Sequence, residues 1–189
     1  MFPLLLVYDC DEVIMAYIIK DCTEEQLPEI MAIFNDVIVN STALYEYKPR
    51  TASSMQSWYA SKRNGNYPII GAFDYNDVLL GFATFGSFRN YPAYKYTVEH
   101  SIYIKSDARR QGFGKILLKK IIENAEAQGY HILVAAIDKL NIQSINFHER
   151  AGFVYCGEIK ESGYKFGKWL DLVFYELILK TPNNLGKEK

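Results

Sequence analysis

The chain has no excess of charge of either sign. Its 189 residues include 21 Lys and Arg against 22 Asp and Glu, so the formal net charge at pH 7 is -1. Proteins that bind nucleic acid or an anionic membrane surface usually carry a basic excess, and the balance argues against both partners. Hydrophobic residues make up 49% of the chain and aromatic residues 15%. These shares are large enough for a core and too large for a disordered protein.

Cysteine is also scarce. Cys10, Cys22 and Cys156 are odd in number and show no CxxC spacing. This pattern fits neither a disulfide framework nor a zinc site, and it is typical of a reducing compartment. We therefore expect a cytoplasmic protein that binds no metal.

Long apolar runs are missing as well. None reaches the roughly 18 residues that a membrane-spanning helix needs. The apolar residues 2–8 are followed by acidic residues rather than by a signal-peptide cleavage site. We expect residues 1–15 to be an extension outside the core fold, either peripheral or not native to the protein.

The spacing of apolar residues predicts a single α/β domain over residues 16–180, with a frayed tail at 181–189. The predicted strands cover 16–20, 67–73, 78–85, 94–105, 132–137, 153–160 and 168–179. The first predicted helix is capped by Thr23. Three further helices are predicted over 52–62, 112–128 and 141–150. This order indicates a mixed sheet with helices on both faces.

The segment 109–115 lies between a predicted strand and a predicted amphipathic helix, and it is the most informative stretch of the sequence. Gly112 and Gly114 allow close approach of the backbone to a ligand. The first N–H groups of a helix lack partners within the helix and suit a diphosphate. The GxGxxG fingerprint fails at Leu117, and the P-loop fails because Ile116 follows the lysine. An ordinary glycine-containing turn with solvated basic residues stays open.

The spacing Arg109-x-x-Gly112-x-Gly114 after a strand resembles the acetyl-CoA signature of the GNAT superfamily of N-acetyltransferases. Four further segments resemble that superfamily, and in particular its phosphinothricin / methionine sulfoximine acetyltransferase branch: 40–46, 97–104, 141–153 and 163–171. The resemblance runs from about residue 16 to residue 179. It implies a GNAT-like, mostly antiparallel sheet and transfer of acetyl from acetyl-CoA to the primary amine of a small amino acid or analogue.

The resemblance also implies which residues hold the cofactor. Strand residues Ile102, Tyr103 and Ile104 would pair with the pantetheine arm in the manner of an added strand. The diphosphate would lie on the turn of Arg109, Arg110, Gln111, Gly112, Phe113, Gly114 and Lys115. Asn141 and Ser144 would contact the cofactor at the start of the next helix. A plain helix cap is the alternative for Asn141.

Two residues are implied in proton handling. Glu99 lies in mid-strand among apolar neighbours, where desolvation would raise its pKa toward the range of a general base. A carboxylate on a solvated sheet face is the alternative. His148 lies seven residues after Asn141, where many GNAT enzymes carry tyrosine, and it would relay a proton from the amine or protonate the leaving thiolate. His100 faces away from Glu99, and we assign no role to it.

The acceptor pocket is the least determined part of the site. Arg89 and Lys95 flank Tyr94 shortly before Glu99 and would clamp an acidic group of the acceptor, with Tyr45 lining the same cleft. Exposed cations in a surface loop are the alternative. The resemblance further implies a homodimer. Acetylation of another small amine or of a protein N-terminus stays open, as does a coenzyme A-binding module without catalysis.

Overall fold

The structure is a computed structural model, and it describes residues 17–181. The predicted extension at residues 1–15 therefore lies outside the described residues, as do residues 182–189 of the predicted tail. No helix in the described part combines the length and apolar character needed to cross a bilayer.

Seven strands and four helices form the described chain, and their order agrees with the prediction. The strands are β1 (Ile18–Asp21), β2 (Ile69–Phe73), β3 (Leu79–Ser87), β4 (Thr97–Ile104), β5 (Ile132–Asp138), β6 (Val154–Lys165) and β7 (Lys168–Ile178). The helices are α1 (Leu27–Asn40), α2 (Ala52–Asn64), α3 (Phe113–Ala127) and α4 (Ile142–Arg150).

Two predicted boundaries differ from the structure by three residues or more. Tyr94 does not open β4 but ends a short 3-10 turn, Pro92–Tyr94, because proline has no N–H to give to a strand ladder and suits the first position of a helical turn. Strand β6 continues to Lys165, beyond the predicted end at 160, because its second half forms a hairpin with β7.

The strands are hydrogen-bonded in the order β1-β2-β3-β4-β5-β7-β6. The ladders β1–β2, β2–β3, β5–β7 and β6–β7 are antiparallel, and β4–β5 is parallel. This arrangement confirms the expected α/β fold with a mixed, mostly antiparallel sheet. The described residues form two compact units that share β4, one of 17–85 with 101–121 and one of 86–100 with 122–181. A single domain over residues 16–180 stays a prediction.

The first unit packs helices on both faces of its strands. On one face, Phe34 of α1 contacts the rings of Trp58, Phe82 and Tyr103 at centroid distances of 5.4, 5.0 and 5.1 Å. On the other face, Phe113 at the start of α3 meets Tyr17 edge-on at 5.6 Å. Side chains alternate between faces along a strand, and Ile18, the neighbour of Tyr17, packs toward α1. This packing anchors the turn before α3.

The second unit is built around β5, whose residues Leu133, Val134 and Ala135 are buried, as the nearly unbroken apolar run predicts. Seven residue pairs join β5 to β7. Strand β6 pairs with β7 and ends the strand order, so it is an edge strand. Helix α4 packs against this unit through His148, whose ring contacts that of His100 on β4.

Candidate active site

The turn before α3 has the backbone shape that the glycine pattern predicts. Gly112 has φ +89° and Arg110 has φ +64°, two left-handed residues flanking one residue. A Cβ placed on Gly112 would meet nothing within 4 Å, so the space in front of this backbone is open. The first N–H groups of α3 have no partners within the helix, and the helix dipole is positive there. The turn therefore fits a diphosphate, the group that the resemblance expects here.

The side chains of the turn divide into two groups. Arg109 is turned toward its own unit, where Nε donates to the carbonyl of Ile104 at 3.3 Å and Nη2 lies 3.9 Å from the carboxylate of Asp36. Gln111 donates to the carbonyl of Asp107 at 3.2 Å. Arg110 and Lys115 are exposed. Phe113 is buried and Gly114 is half-buried, so their contribution to a ligand would come from the backbone.

Strand β4 carries both Glu99 and the predicted pantetheine-binding segment. Its parallel ladder with β5 joins 97–99 to 132–134 and ends at the pair of Glu99 and Val134, although both strands continue. On the β3 side, the N–H of Lys105 donates to the carbonyl of Leu80 at 2.9 Å. The described register between β4 and β5 therefore ends three residues before Ile102. The pairing of Ile102–Ile104 with a pantetheine arm stays a prediction.

Helix α4 begins with the predicted cap. The side-chain oxygen of Asn141 accepts a hydrogen bond from the N–H of Ser144 at 3.1 Å, so the capping alternative for Asn141 is realised. One turn later, His148 Nδ1 lies 2.7 Å from the carbonyl oxygen of Ser144. A carbonyl can only accept, so Nδ1 carries a proton, and the neutral ring presents a lone pair at Nε2.

His148 lies on the face of β4 opposite to Glu99. Its ring centroid is 5.1 Å from that of His100, with 35° between the planes, and Phe153 packs against both imidazoles at 5.2 and 5.4 Å. Glu99 is half-buried and points the other way, as strand alternation requires. The two predicted proton-handling residues thus flank one strand rather than contact each other.

Burial sets the protonation of both histidines. It lowers the pKa of His100 to about 3, with a further contribution from His148. It also lowers the pKa of His148, against an opposing effect of the hydrogen bond to Ser144. Desolvation disfavours the charged imidazole, so both rings are neutral at pH 7.

The buried histidines make stability fall in acid. The unfolded chain takes up protons on His100 below a pKa of about 6.5, whereas the folded chain does not until about 3, so unfolding is favoured as the pH drops through this window. We expect His100 alone to lower the free energy of unfolding by on the order of 2 kcal/mol between pH 7 and pH 5. Urea denaturation at the two pH values measures this difference.

His131→Phe is the control for that measurement, because His131 is exposed and its Nδ1 lies 2.7 Å from the Thr181 hydroxyl. His100→Phe is expected to flatten the pH dependence and the control is expected to leave it in place. Equal slopes in the wild type and His100→Phe would contradict the assigned protonation.

The predicted acceptor residues lie in three places. Arg89 stacks on Phe88 at 4.2 Å and donates from Nη1 to the Phe88 carbonyl at 2.8 Å, while Tyr94 packs edge-on against the same ring at 5.8 Å. Lys95 lies over the Tyr96 ring at 4.9 Å. Tyr45 belongs to the first compact unit and is half-buried. Phe88 therefore brings Arg89 and Tyr94 together. No sequence motif predicted this association.

The sequence reasoning missed the pairing of His100 with His148. Strand alternation correctly placed His100 opposite Glu99, but the contact depends on how α4 packs against β4, which no local spacing reveals. The nearest available signal is a polar residue at a position that the strand pattern buries.

Among residues 17–181, no group of three or more His, Cys, Asp and Glu side chains could hold a metal ion.

Comparison with known proteins agrees with this geometry. The acetyltransferase (GNAT) family model matches residues 30–153. The L-methionine sulfoximine/L-methionine sulfone acetyltransferase of Pseudomonas paraeruginosa is 41% identical over 165 residues, which cover 87% of this chain and 96% of that protein.

Two solved structures are similar over nearly their whole length. The N-acetyltransferase of Staphylococcus aureus Mu50 matches with a TM-score of 0.84 at 47% identity, covering 87% of this chain and 99% of that one. A GNAT superfamily phosphinothricin acetyltransferase of Sinorhizobium meliloti, in complex with AcCoA, matches with a TM-score of 0.84 at 30% identity, covering 89% and 94%. The chain therefore belongs to the GNAT family, and it is an acetyltransferase that depends on acetyl-CoA.

Proposed function

We propose that this acetyltransferase acts on the primary amine of a small amino acid or analogue of the methionine sulfoximine and phosphinothricin type. The observation that carries the proposal is the end of the β4–β5 register at Glu99, which places this carboxylate at the point where the described pairing of the two strands stops. The 41% identity to a methionine sulfoximine/sulfone acetyltransferase supports this acceptor class.

The chain's backbone holds most of the cofactor in this proposal. The N–H groups of 111–115, together with Arg110 and Lys115, bind the diphosphate, and the open space at Gly112 supports that role. Ile102–Ile104 offer backbone groups to the pantetheine amides. Asn141 and Ser144 contribute at the start of α4. Arg109 acts more indirectly, because its contacts to Ile104 and Asp36 brace the turn from behind.

Acetyl-CoA supplies an activated acetyl group, so no acyl-enzyme is required and the amine attacks directly. The acceptor arrives mostly as an ammonium ion, and it must lose two protons to become an amide. Glu99 accepts the first of these and releases it to solvent. Attack is impossible until this proton has gone, and Glu99 is therefore the general base.

His148 handles the second proton. Its Nε2 lone pair, which is buried on the other face of β4 from Glu99, receives the proton of the attacking nitrogen through a relay rather than by direct contact, while Nδ1–H stays on the Ser144 carbonyl. The same nitrogen then returns the proton to the departing sulfur. In balance, one C–N bond forms, one C–S bond breaks, and one proton reaches solvent through Glu99. The neutral state of His148, which burial favours, is the state that can begin this relay.

The acceptor's acidic group is held by cations in the segment before β4. Arg89 and Lys95 supply the charge, and Tyr94 lies beside them in the same segment. Tyr45, in the first unit, stays a predicted acceptor residue. The stacking of Arg89 and Tyr94 on Phe88 supports this, because it orders two of these side chains before a ligand arrives.

Arg89→Ala is expected to raise the KM for acceptors with an anionic group by about tenfold, because one charge-assisted hydrogen bond is lost at an exposed position. The KM for neutral amines should not change. Initial rates with both acceptor classes measure the split. Arg63→Ala is the matched control, since Arg63 is an exposed arginine on α2 without an assigned role. Equal KM changes for both classes would remove Arg89 from the pocket.

An acceptor panel with thiol release as readout tests the function itself. We expect turnover with L-methionine sulfoximine, with the N-acetyl product visible by mass spectrometry. Turnover only with other small amines or with peptide N-termini would overturn the acceptor class. Binding of acetyl-CoA without turnover on any amine would point to a coenzyme A-binding module instead.

We also place the enzyme in the cytoplasm as a homodimer joined through β6. This twelve-residue strand ends the strand order, and within the described residues nothing pairs with its outer edge. Tyr155 and Ile159 on β6 are 51% and 50% exposed, and Trp169 on β7 is 61% exposed. An unpaired strand edge that carries exposed apolar side chains is a template for a second strand, and a second copy satisfies it symmetrically.

Ile159→Lys is expected to convert the dimer to a monomer, because it places a buried charge at the centre of the joined edges. Sedimentation equilibrium reports the mass. Tyr75→Lys, at an exposed site in the β2–β3 turn, should leave the dimer intact. A monomeric wild type at micromolar concentration would contradict the homodimer.

A further inference from the structure

Three ring nitrogens lie together in the second unit without hydrogen-bond partners. They are Nδ1 and Nε2 of His100 and Nε2 of His148, and all three are buried. The imidazoles lie 5.1 Å apart between centroids, in a box completed by Phe153 and by Phe147, which meets His148 at 5.0 Å. Buried polar atoms are hydrogen-bonded in the great majority of cases, so this concentration calls for an explanation.

A purely structural role does not account for His100. A phenylalanine of similar shape would pack against Phe153 and His148 without burying two polar atoms, each of which is costly without a partner. The loss of folding free energy from burying an imidazole is offset in function where its lone pair or its N–H is used at some stage of the reaction.

We propose that His100 is a positioning residue for His148: a nitrogen of its ring accepts a hydrogen bond from His148 Nε2–H whenever His148 carries the transferred proton. The inference rests on the proposed function. Nδ1–H of His148 is held by Ser144, so a second proton goes to Nε2, and this new donor needs an acceptor. His100 is the neighbouring group whose ring nitrogens no hydrogen bond engages, and its ring centroid lies 5.1 Å from that of His148.

The protons on the rings of His100 and His148 are accounted for at each stage of the reaction. At rest both rings are neutral. When the proton relayed from the acceptor amine arrives at His148 Nε2, the imidazolium donates Nδ1–H to Ser144 and Nε2–H to His100, which stays neutral. The low pKa of His100 agrees with this, because it keeps the proton on His148 rather than passing it on. When His148 gives the proton to the departing sulfur, both rings are neutral again.

The neighbours of His148 leave His100 as the acceptor. From its own helix, the carbonyl of Ser144 and, at 3.4 Å, the hydroxyl of Ser144 both face Nδ1, and Glu149 accepts a hydrogen bond from the Tyr175 hydroxyl of β7 at 3.2 Å. From the start of β6, Phe153 contributes only its ring. From β4, His100 contributes two ring nitrogens.

The test compares His100→Phe with His100→Gln and His100→Asn. Phenylalanine keeps the shape and loses the acceptor, whereas the two amides keep an acceptor oxygen and fill the space less well. We expect His100→Phe to melt higher than the wild type, to leave the KM for acetyl-CoA unchanged, and to lower kcat about tenfold, part of the hundredfold or more that acid–base groups contribute. At least one amide variant should recover kcat despite a lower melting temperature.

A second readout does not depend on turnover. In 15N-histidine NMR, the pKa of His148 should fall by about one unit in His100→Phe and return toward the wild-type value in the amide variant that recovers kcat, because the imidazolium loses and regains its acceptor. A His148 pKa that is unchanged or higher in His100→Phe overturns the inference, even if no acceptor is ever acetylated. A wild type inactive on every amine overturns the proposed function, whatever the NMR titration gives.

Discussion

Gly112→Ala is expected to weaken acetyl-CoA binding by on the order of 100-fold. The residue has φ +89°, a conformation that side chains other than glycine's rarely adopt, and the space in front of it is open. A methyl group there either projects into the space assigned to the diphosphate or forces the turn out of its left-handed conformation. Isothermal titration calorimetry with acetyl-CoA measures the loss.

Gly129→Ala is the matched control. Gly129 also has a positive φ, +79°, and also faces open space, but it follows the end of α3 rather than preceding its start. Both variants should lose about 1 kcal/mol of folding stability from backbone strain. Only Gly112→Ala should lose affinity, and equal affinities in the two variants would contradict the role of the turn.

Glu99→Gln is expected to lower kcat by 100- to 10,000-fold, with little change in acetyl-CoA affinity, because it removes the base that frees the attacking amine. The variant should also regain rate as the pH rises, since only the fraction of acceptor that is already deprotonated reacts. Its kcat/KM is expected to increase about tenfold per pH unit below the pKa of the acceptor amine, and more steeply than the wild type's. Steady-state rates between pH 7 and 9 measure both effects.

Glu176→Gln provides the comparison for that experiment. Glu176 is a half-buried strand carboxylate on β7 without an assigned role. The Glu176→Gln variant should have the wild-type kcat. A wild-type rate in Glu99→Gln as well would remove Glu99 from the mechanism.

Local patterns predicted most of the fold. The apolar spacing located every strand and helix of the described chain, because burial of one face imposes its period on each element. It failed at Tyr94, where proline redirected the chain, and at the end of β6, where pairing with β7 extended a strand that its own residues do not terminate.

The site was predictable where it depends on backbone. Glycines before a helix implied the open turn, and the turn has the left-handed residues that this requires. Side-chain placement was less predictable, because it depends on contacts between distant segments. The bracing of Arg109 by Asp36 and the contact of His148 with His100 join residues far apart in the chain. The stacking of Arg89 and Tyr94 on Phe88 is local, but it depends on how one irregular loop folds.

A crystal structure with bound acetyl-CoA tests the central claim most directly. The predicted result has the diphosphate on the N–H groups of 111–115, pantetheine amides hydrogen-bonded to the backbone of 102–104, and the acetyl carbon near Glu99. A cofactor bound elsewhere, or a diphosphate that does not touch the turn at Gly112, would contradict it.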